Sequence, residues 1–258
     1  FVLERRNFFK ALAAGSFYLS IPTARAASQK DLANLDMIET AAEVSSGRVS
    51  MFDISKAAMD RIDALNPHIN ALVTKTYDYG VRQMAKNPTG PLAGVPYMLK
   101  DLNSLTGVRT TRGSRLFTSH TSSRQSPYTD NILSSGVIIL GKTNTPEFGL
   151  MPTTEPVANG ATRNPWNLDY SCGGSSGGAA AAVASRMIAA SQASDGGGSI
   201  RFPAAACHLF GLKPSRGRFG DQGYADQPVS LSVKHAISRT VRDSAFMLAL
   251  TENGPGAT

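Results

Sequence analysis

The chain is poor in cysteine and lacks long apolar runs, and each shortage excludes a class of protein. Two cysteines, Cys172 and Cys207, among 258 residues are too few for a disulfide framework. We expect two free, buried thiols, and a single bridge between them is the alternative. No segment approaches the roughly 18 consecutive apolar residues that a membrane-spanning helix needs. The apolar share of 41% still suffices for a buried core, and the length fits one large domain or two small ones.

The positive charge of the chain is concentrated near its start. The formal net charge is +7, and four basic residues against Glu4 place +3 of it within residues 1–27. The remaining basic residues form no stripe interleaved with aromatic residues, which argues against a nucleic-acid-binding protein.

The first residues have the pattern of an export signal. The sequence RRNFFK at 5–10 precedes a mildly apolar stretch over 11–22 and an A-x-A site at 24–26. This order is typical of a secretory signal peptide, and the paired arginines are typical of the twin-arginine pathway. We predict a signal over residues 1–26 with cleavage after Ala26, the twin-arginine machinery as a partner and a periplasmic or otherwise exported protein. An ordinary amphipathic helix is the alternative.

Short apolar runs alternate with helical patterns along the rest of the chain. The patterns predict helices over 29–45, 50–65, 76–86, 128–134 and 178–185, and strands over 95–99, 137–140, 187–193 and 209–212. Strands that alternate with helices indicate an α/β domain with helices layered over a largely parallel sheet.

The most distinctive segment covers residues 171–199, of which 22 of 29 are Gly, Ser or Ala. An apolar, helix-forming run between its two glycine clusters distinguishes it from a flexible linker. Each cluster presents a serine on a tight turn, where the main chain can approach another group closely. Two such serines predict a site in which hydroxyls and main-chain N–H groups converge.

Two shorter motifs compete with this interpretation. Residues 136–143 satisfy the P-loop expression, but Val-Ile-Ile-Leu fills the positions that a polar phosphate-binding loop needs. Residues 173–177 satisfy the nucleophile-elbow expression G-x-S-x-G, and Asp226 and His235 would complete a triad with Ser175. The polar segment before Ser175 does not resemble a core strand, so an α/β-hydrolase-like esterase is the runner-up.

Lys100 would supply the base that the two serines lack. It follows the apolar run 95–99, and an isolated lysine in such a position usually extends to the surface. A lysine deprived of water instead has a lowered pKa, and when neutral it can take a proton from a serine hydroxyl. The position of Lys100 leaves both interpretations open.

Several motifs in combination resemble the amidase signature family. They are Lys100-Asp101, Gly141-Lys142-Thr143-Asn144, Asn164-Pro165-Trp166, the glycine-serine run 173–178 and the segment 195–203. The resemblance implies an amidase-signature-like α/β fold with a mixed β-sheet core and helices on both faces. It would occupy residues 27–258 as the N-terminal, triad-bearing portion of a longer domain, incomplete at its C-terminus.

The resemblance also implies a role for each site residue. Ser199 is similar to the nucleophile of the family, Ser175 to its bridging serine after a cis peptide bond, and Lys100 to its base. The remaining roles are an oxyanion hole at Gly196, Gly197 and Gly198, and supporting positions at Gly174, Ser176, Asp195 and Arg201.

The implied function is an exported amidase that hydrolyses linear or peptide-like amides through an acyl-enzyme. Such chemistry needs no metal and no organic cofactor. The alternatives are an amidotransferase-type glutaminase subunit, which export disfavours, and a truncated, non-catalytic remnant. A Cys172 nucleophile lacks a histidine that the sequence would place beside it. Homodimer formation is left open.

Overall fold

The structure is a computed structural model that describes residues 29–219 and 231–252. The predicted signal at 1–26 and the nominal triad member Asp226 lie outside these ranges. Within them, no helix combines the length and the apolar character that crossing a membrane requires.

Helices and strands alternate along most of the described chain. The helices are α1 (Gln29–Asn34), α2 (Met37–Ser45), α3 (Met51–Ile69), α4 (Tyr77–Ala85), α5 (Pro127–Ser134), α6 (Gly177–Ala184), α7 (Arg201–Ala206) and α8 (Val241–Thr251). The strands are β1 (Leu72–Lys75), β2 (Pro96–Lys100), β3 (Ile138–Thr143), β4 (Arg163–Asn164), β5 (Asn167–Ser171), β6 (Ala190–Asp195), β7 (Phe210–Gly211) and β8 (Val233–Ser238).

The strands form a mixed arrangement. One three-stranded sheet has the order β1-β3-β2, a second has the order β6-β8-β7, and β4 pairs with β5. Strands β2 and β3 run parallel, whereas β1–β3, β6–β8 and β7–β8 are antiparallel. The mixed core implied by the resemblance is therefore confirmed, and the largely parallel sheet inferred from alternation is wrong. The unpredicted strands β1 and β8 account for the difference.

The two three-stranded sheets meet where β2 lies beside β6. The main-chain N–H of Lys100 donates to Gln192 Oε1 at 3.0 Å, and Ser191 Oγ donates to the carbonyl of Met98 at 3.2 Å. Side chains thus join the strand that carries Lys100 to the strand that leads into the second serine loop.

The central strand β2 sends alternate side chains into two separate cores. Met98 packs with residues of α3 and α6, whereas Tyr97 and Leu99 pack with residues of α2, α5 and α8. Because successive strand residues point to opposite faces, helices cover both faces of the sheet. We call these the α6 face and the α8 face.

Helix α6 is buried along nearly its whole length. Residues 177–183 are all buried, and an Ala-rich sequence that is apolar on every side fits only the interior. The turn before α6 meets the end of β2, where Ser175 Oγ accepts a hydrogen bond from Lys100 Nζ at 2.7 Å.

Several helix boundaries differ from those that the sequence predicts. The helix predicted over 29–45 is two helices: α1 ends at Asn34, and Asp36 caps the start of α2 by accepting from Glu39 N at 2.9 Å. The helix predicted over 50–65 continues to Ile69 with Pro67 inside it, and the left-handed Asn70 closes it. Residues 138–143, within the P-loop expression, are strand β3, so these positions form no phosphate-binding loop.

Helix α8 holds the start of α2 through a buried carboxylate. Asp243 is fully buried and accepts from Met37 N at 3.1 Å and from Ile38 N at 3.3 Å. These amides have no partner within their own helix, as at every helix N-terminus. The contact joins residues that are about 200 positions apart in the chain.

We predict that Asp243→Ala lowers the free energy of unfolding by about 2 kcal/mol, because it leaves buried amides without an acceptor. Chemical denaturation measures the change. Glu43→Ala, which removes an ion pair to Arg48 on the exposed side of α2, is the control and should change stability little. If Asp243→Ala is as stable as the parent, Asp243 does not hold the start of α2 as described.

Candidate active site

The end of β2 carries Lys100 into the interior of the protein. Its side chain is on the α6 face, opposite Thr143 in the parallel register with β3, and has no exposed surface. The ammonium nitrogen Nζ donates to Ser175 Oγ at 2.7 Å and to Ser194 Oγ at 3.1 Å. The lysine is thus buried, and extension to the surface is excluded.

The surroundings of Lys100 favour its uncharged form. Burial lowers the pKa of Lys100 to about 7, although the nearby Asp195 carboxylate acts in the opposite direction. A lysine with such a pKa is partly neutral near neutral pH and can then accept a proton. The physical condition for a lysine base is met.

Ser175 lies on a turn that requires a glycine directly before it. The Gly174–Ser175 peptide bond is cis. A Cβ on Gly174 would lie 2.5 Å from the carbonyl oxygen of Thr153, so no larger residue fits there. Thr154 holds both ends of the turn, since its Oγ1 donates to Gly173 O at 2.9 Å and accepts from Gly177 N at 3.1 Å.

A second turn approaches Ser175 from the opposite side. Phe148 and Gly149 both have positive φ, at 52° and 71°. A Cβ on Gly149 would lie 3.2 Å from Ser175 Oγ and 2.7 Å from Leu102 Cδ1. The close approach explains a glycine here, and the motifs in the sequence did not reveal this turn.

Ser176 joins the two serine loops. Its N–H donates to the carbonyl of Ser199 at 3.2 Å. Its hydroxyl donates to the carbonyl of Ser194 at 3.3 Å and accepts from Ser194 N at 3.4 Å. Through these bonds the loop that carries Ser199 is fixed next to Ser175 and Lys100.

Asp195, at the end of β6, shapes the glycine loop that follows it. Arg201 donates to it twice, through Nε at 2.9 Å and Nη2 at 3.1 Å, and Gly198 N and Ile200 N donate at 2.7 and 3.2 Å. Burial alone would raise the pKa of Asp195, but these donors outweigh burial and lower it to about 2. The carboxylate is therefore a permanent anchor for the loop.

The hydrogen bonds of Asp195 change the predicted oxyanion hole at one residue. The resemblance predicts Gly198 in the oxyanion hole, but its N–H donates to Asp195 Oδ1 and is therefore already engaged. Gly196 and Gly197 are exposed, and a Cβ on Gly197 would meet nothing within 4 Å. Within the described ranges the amides of Gly196, Gly197 and Ser199 make no hydrogen bond, so they are the donors left for an oxyanion.

Ser199 is the least enclosed of the three residues expected to form the triad. It is partly exposed, whereas Ser175 is 2% exposed and Lys100 is fully buried. Its hydroxyl makes no hydrogen bond to any described residue, and only its carbonyl is held, by Ser176. Loose contacts between catalytic groups are common before a substrate binds.

The competing nucleophile assignments do not fit the geometry. Burial raises the pKa of the Cys172 thiol, which makes it inert, and Cys172 and Cys207 are both free and buried. His235 Nε2 lies 2.7 Å from Ser244 Oγ on the α8 side, while Ser175 bonds to Lys100. Among the residues with described positions, no three His, Cys, Asp or Glu side chains form a metal-binding group.

The sequence motifs pointed to Lys100 and both serine loops but missed two residues that hold them. Ser194 is a second acceptor for Lys100, but no motif in the sequence around it marks it as a site residue. Thr154 lies in a loop with no motif, about 20 residues before the turn that it closes. Only the folded chain reveals either role.

Comparison with known proteins identifies the family. The family model described as Amidase matches residues 53–254, more than half of the chain. An acylamidase of Rhodococcus erythropolis is 38% identical over 229 residues, which cover 86% of this chain and 48% of that protein. A 6-aminohexanoate-cyclic-dimer hydrolase of Paenarthrobacter ureafaciens is 37% identical over 223 residues, covering 83% of this chain and 45% of that protein.

A solved structure agrees with these matches. A 6-aminohexanoate cyclic dimer hydrolase in complex with its substrate superposes with a TM-score of 0.83 at 36% identity, covering 88% of this chain and 48% of that chain. The chain spans about half the length of the relatives that it matches. The matched family model and the shared fold together establish that the chain belongs to the amidase signature family.

Proposed function

We propose that the protein hydrolyses carbon–nitrogen amide bonds through Ser199, Ser175 and Lys100. The observation that supports this most strongly is the 2.7 Å bond between Lys100 Nζ and Ser175 Oγ, in a position where the lysine has no exposed surface. A buried, largely desolvated lysine on a serine hydroxyl is a base in contact with a proton carrier.

The proposed reaction begins at Ser199. Ser199 Oγ attacks the amide carbonyl carbon while its proton passes to Ser175 Oγ and the Ser175 proton passes to Lys100 Nζ. The carbonyl oxygen becomes an oxyanion, which the amides of Gly196, Gly197 and Ser199 stabilise. Lys100 and Ser175 then return a proton to the leaving nitrogen, the C–N bond breaks and an amine or ammonia departs.

Water completes the cycle. Lys100 and Ser175 take a proton from a water molecule as its oxygen attacks the acyl-Ser199 ester. The ester C–O bond breaks, Ser199 regains its proton and a carboxylic acid leaves. We propose linear or peptide-like amides as substrates, since one relative is named an acylamidase and another hydrolyses a cyclic dimer of an amino acid. An amidotransferase-type role is disfavoured by the proposed export.

We further propose that the protein is exported through the twin-arginine pathway as a periplasmic or otherwise secreted enzyme. The support is the sequence RRNFFK at 5–10, the mildly apolar stretch after it and the A-x-A site at 24–26.

We predict that Ser199→Ala and Lys100→Met each lower the rate of amide hydrolysis by roughly four orders of magnitude. A sulfonyl fluoride should add to the parent at Ser199, with loss of fluoride, and fail to add to either variant, as read by intact mass. Ser45→Ala, at a serine on the surface of α2, is the matched control and should behave as the parent. Hydrolysis that survives Ser199→Ala would rule out the proposed nucleophile.

We predict that the rate of Ser199 acylation rises with pH and is half-maximal near the Lys100 pKa of about 7. The sign follows because only uncharged Lys100 accepts a proton. Asp195, with a pKa of about 2, keeps its charge throughout and adds no second step. The pH dependence of sulfonyl fluoride addition measures the midpoint, and a rate that does not change between about pH 5 and pH 9 would contradict a lysine base.

We predict that the exported protein begins at Ala27, and that replacing Arg5 and Arg6 together by lysine blocks export without removing charge. N-terminal sequencing of the secreted fraction and immunoblots of cell fractions measure the two outcomes. The single replacement Arg25→Lys, outside the arginine pair, serves as the control. Export that persists after the double replacement would argue against the twin-arginine route.

A further inference from the structure

A second buried lysine lies near the site and takes no part in the proposed relay. Lys142, on β3, is opposite Leu99 in the register with β2, and Leu99 packs on the α8 face. Lys100 is the next residue of β2, so the two lysine side chains leave the sheet on opposite faces. The bonds of the Lys142 ammonium group go to Asp101 and Thr110, and to neither serine of the proposed relay.

The connecting residue is Asp101, directly after the base in the chain. Lys142 Nζ donates to Asp101 Oδ1 at 3.2 Å and to Thr110 Oγ1 at 3.0 Å, and neither ionic side chain has exposed surface. Asp101 Oδ2 accepts from Thr111 N at 2.9 Å and from Thr111 Oγ1. Its own N–H donates to Thr143 O at 3.0 Å. The carboxylate and the strand end are thus held by the same group of bonds.

A gain in stability does not by itself explain the buried Lys142–Asp101 ion pair. Removing two charges from water is costly, and well-packed apolar groups of the same volume often stabilise a protein equally well. The pair instead occupies the position that borders the base. The position of the Asp101–Lys142 pair directly after Lys100, rather than any gain in stability, therefore suggests its role.

Two carboxylates lie close to Lys100, one in the fold and one directly after it in the chain, and each is paired with a cation. Asp195, on β6, is matched by Arg201, and Asp101, in the turn after β2, is matched by Lys142. A carboxylate without its cation would favour the charged form of a neighbouring lysine. Each of these two carboxylates therefore has its own cation.

Two further cations border the pair. Arg109 and Arg112, from the loop after β2, disfavour the charged form of Lys142, as burial does, while Asp101 favours it. Arg109 is itself held by Thr118 O and Val73 O. The charge that faces Asp101 most closely is that of Lys142.

We propose that Lys142 is a positioning residue for Lys100: it compensates the Asp101 carboxylate and holds the end of β2, so that Lys100 remains an uncharged base on Ser175. This inference rests on the proposed amidase function. It assigns to the second lysine of the site an electrostatic role exerted from the opposite face of the sheet.

The test is the titration of the Lys100 side chain in protein labelled with carbon-13 lysine. Lys100→Arg identifies the Lys100 Cε resonance by its loss from the NMR spectrum. The variants to be titrated are Lys142→Met, Lys142→Arg, Asp101→Asn and the double variant Lys142→Met/Asp101→Asn. Lys56→Met, which breaks the exposed pair with Asp60 on α3, is the matched control.

The variants should shift the Lys100 midpoint in opposite directions. Lys142→Met leaves the carboxylate uncompensated and should raise the midpoint by about one pH unit, and Asp101→Asn leaves the cation uncompensated and should lower it by a similar amount. The double variant, Lys142→Arg and Lys56→Met should titrate close to the parent. Shifts of the same sign in both single variants, or no shift in either, would overturn the proposal.

The comparison does not depend on every variant folding. Asp101→Asn and the double variant differ only in the charge and shape at position 142, so their midpoints alone decide the sign of the effect. A lower midpoint in Asp101→Asn supports the proposal and equal midpoints contradict it. Circular dichroism identifies a variant that has lost the fold.

The outcome also separates this inference from the proposed function. NMR titration requires no turnover, whereas sulfonyl fluoride addition reports the reactivity of Ser199. If the parent does not react with the sulfonyl fluoride but the variants show the predicted midpoint shifts, the amidase function is contradicted and the role of Lys142 stands. If the parent reacts with the sulfonyl fluoride at Ser199 but the variants show no midpoint shifts, the function stands and the inference about Lys142 is overturned.

Discussion

The hydrogen bond between Lys100 and Ser175 is the contact around which the rest of the described structure is arranged. It forms because β2 delivers a lysine to the α6 face with no exposed surface, while the buried α6 fixes the turn that precedes it. Burial lowers the pKa of this lysine to about 7, so that it is partly uncharged near neutral pH. The glycines of the turn and Thr154 hold Ser175 within hydrogen-bond distance of this lysine.

Charge around this contact is arranged in pairs. Asp195 is permanently ionised and bound by Arg201 and by the amides of the glycine loop, so it shapes the loop while its own charge is compensated. On the opposite face Asp101 and Lys142 repeat the arrangement without exposed surface. Each of these two carboxylates thus has a cation of its own.

Much of the site was predictable because its chemistry requires unusual residues in short motifs. The glycine-serine clusters mark both serine loops, whereas the apolar run before Lys100 leaves the role of that lysine open. The resemblance to the amidase signature family is what assigns roles to Lys100, Ser175 and Ser199. The alternation of apolar runs similarly predicted β2, β3 and α6. What could not be predicted depends on contacts between distant segments: Ser194 and Thr154 carry no motif, and the Gly198 amide was reassigned only because Asp195 occupies it. Strands β1 and β8 were missed, and with them the mixed order of the sheets.

The most direct measurement is to identify the residue that carries the acyl group during turnover. A slowly hydrolysed amide or activated ester, quenched in acid and followed by peptide mapping with mass spectrometry, locates the covalent intermediate. We expect the acyl group on the peptide that contains Ser199, with Ser175 and Cys172 unmodified. An acyl group on Ser175 or Cys172, or hydrolysis without any acylated peptide, would contradict the central claim that Ser199 attacks while Ser175 and Lys100 carry its proton.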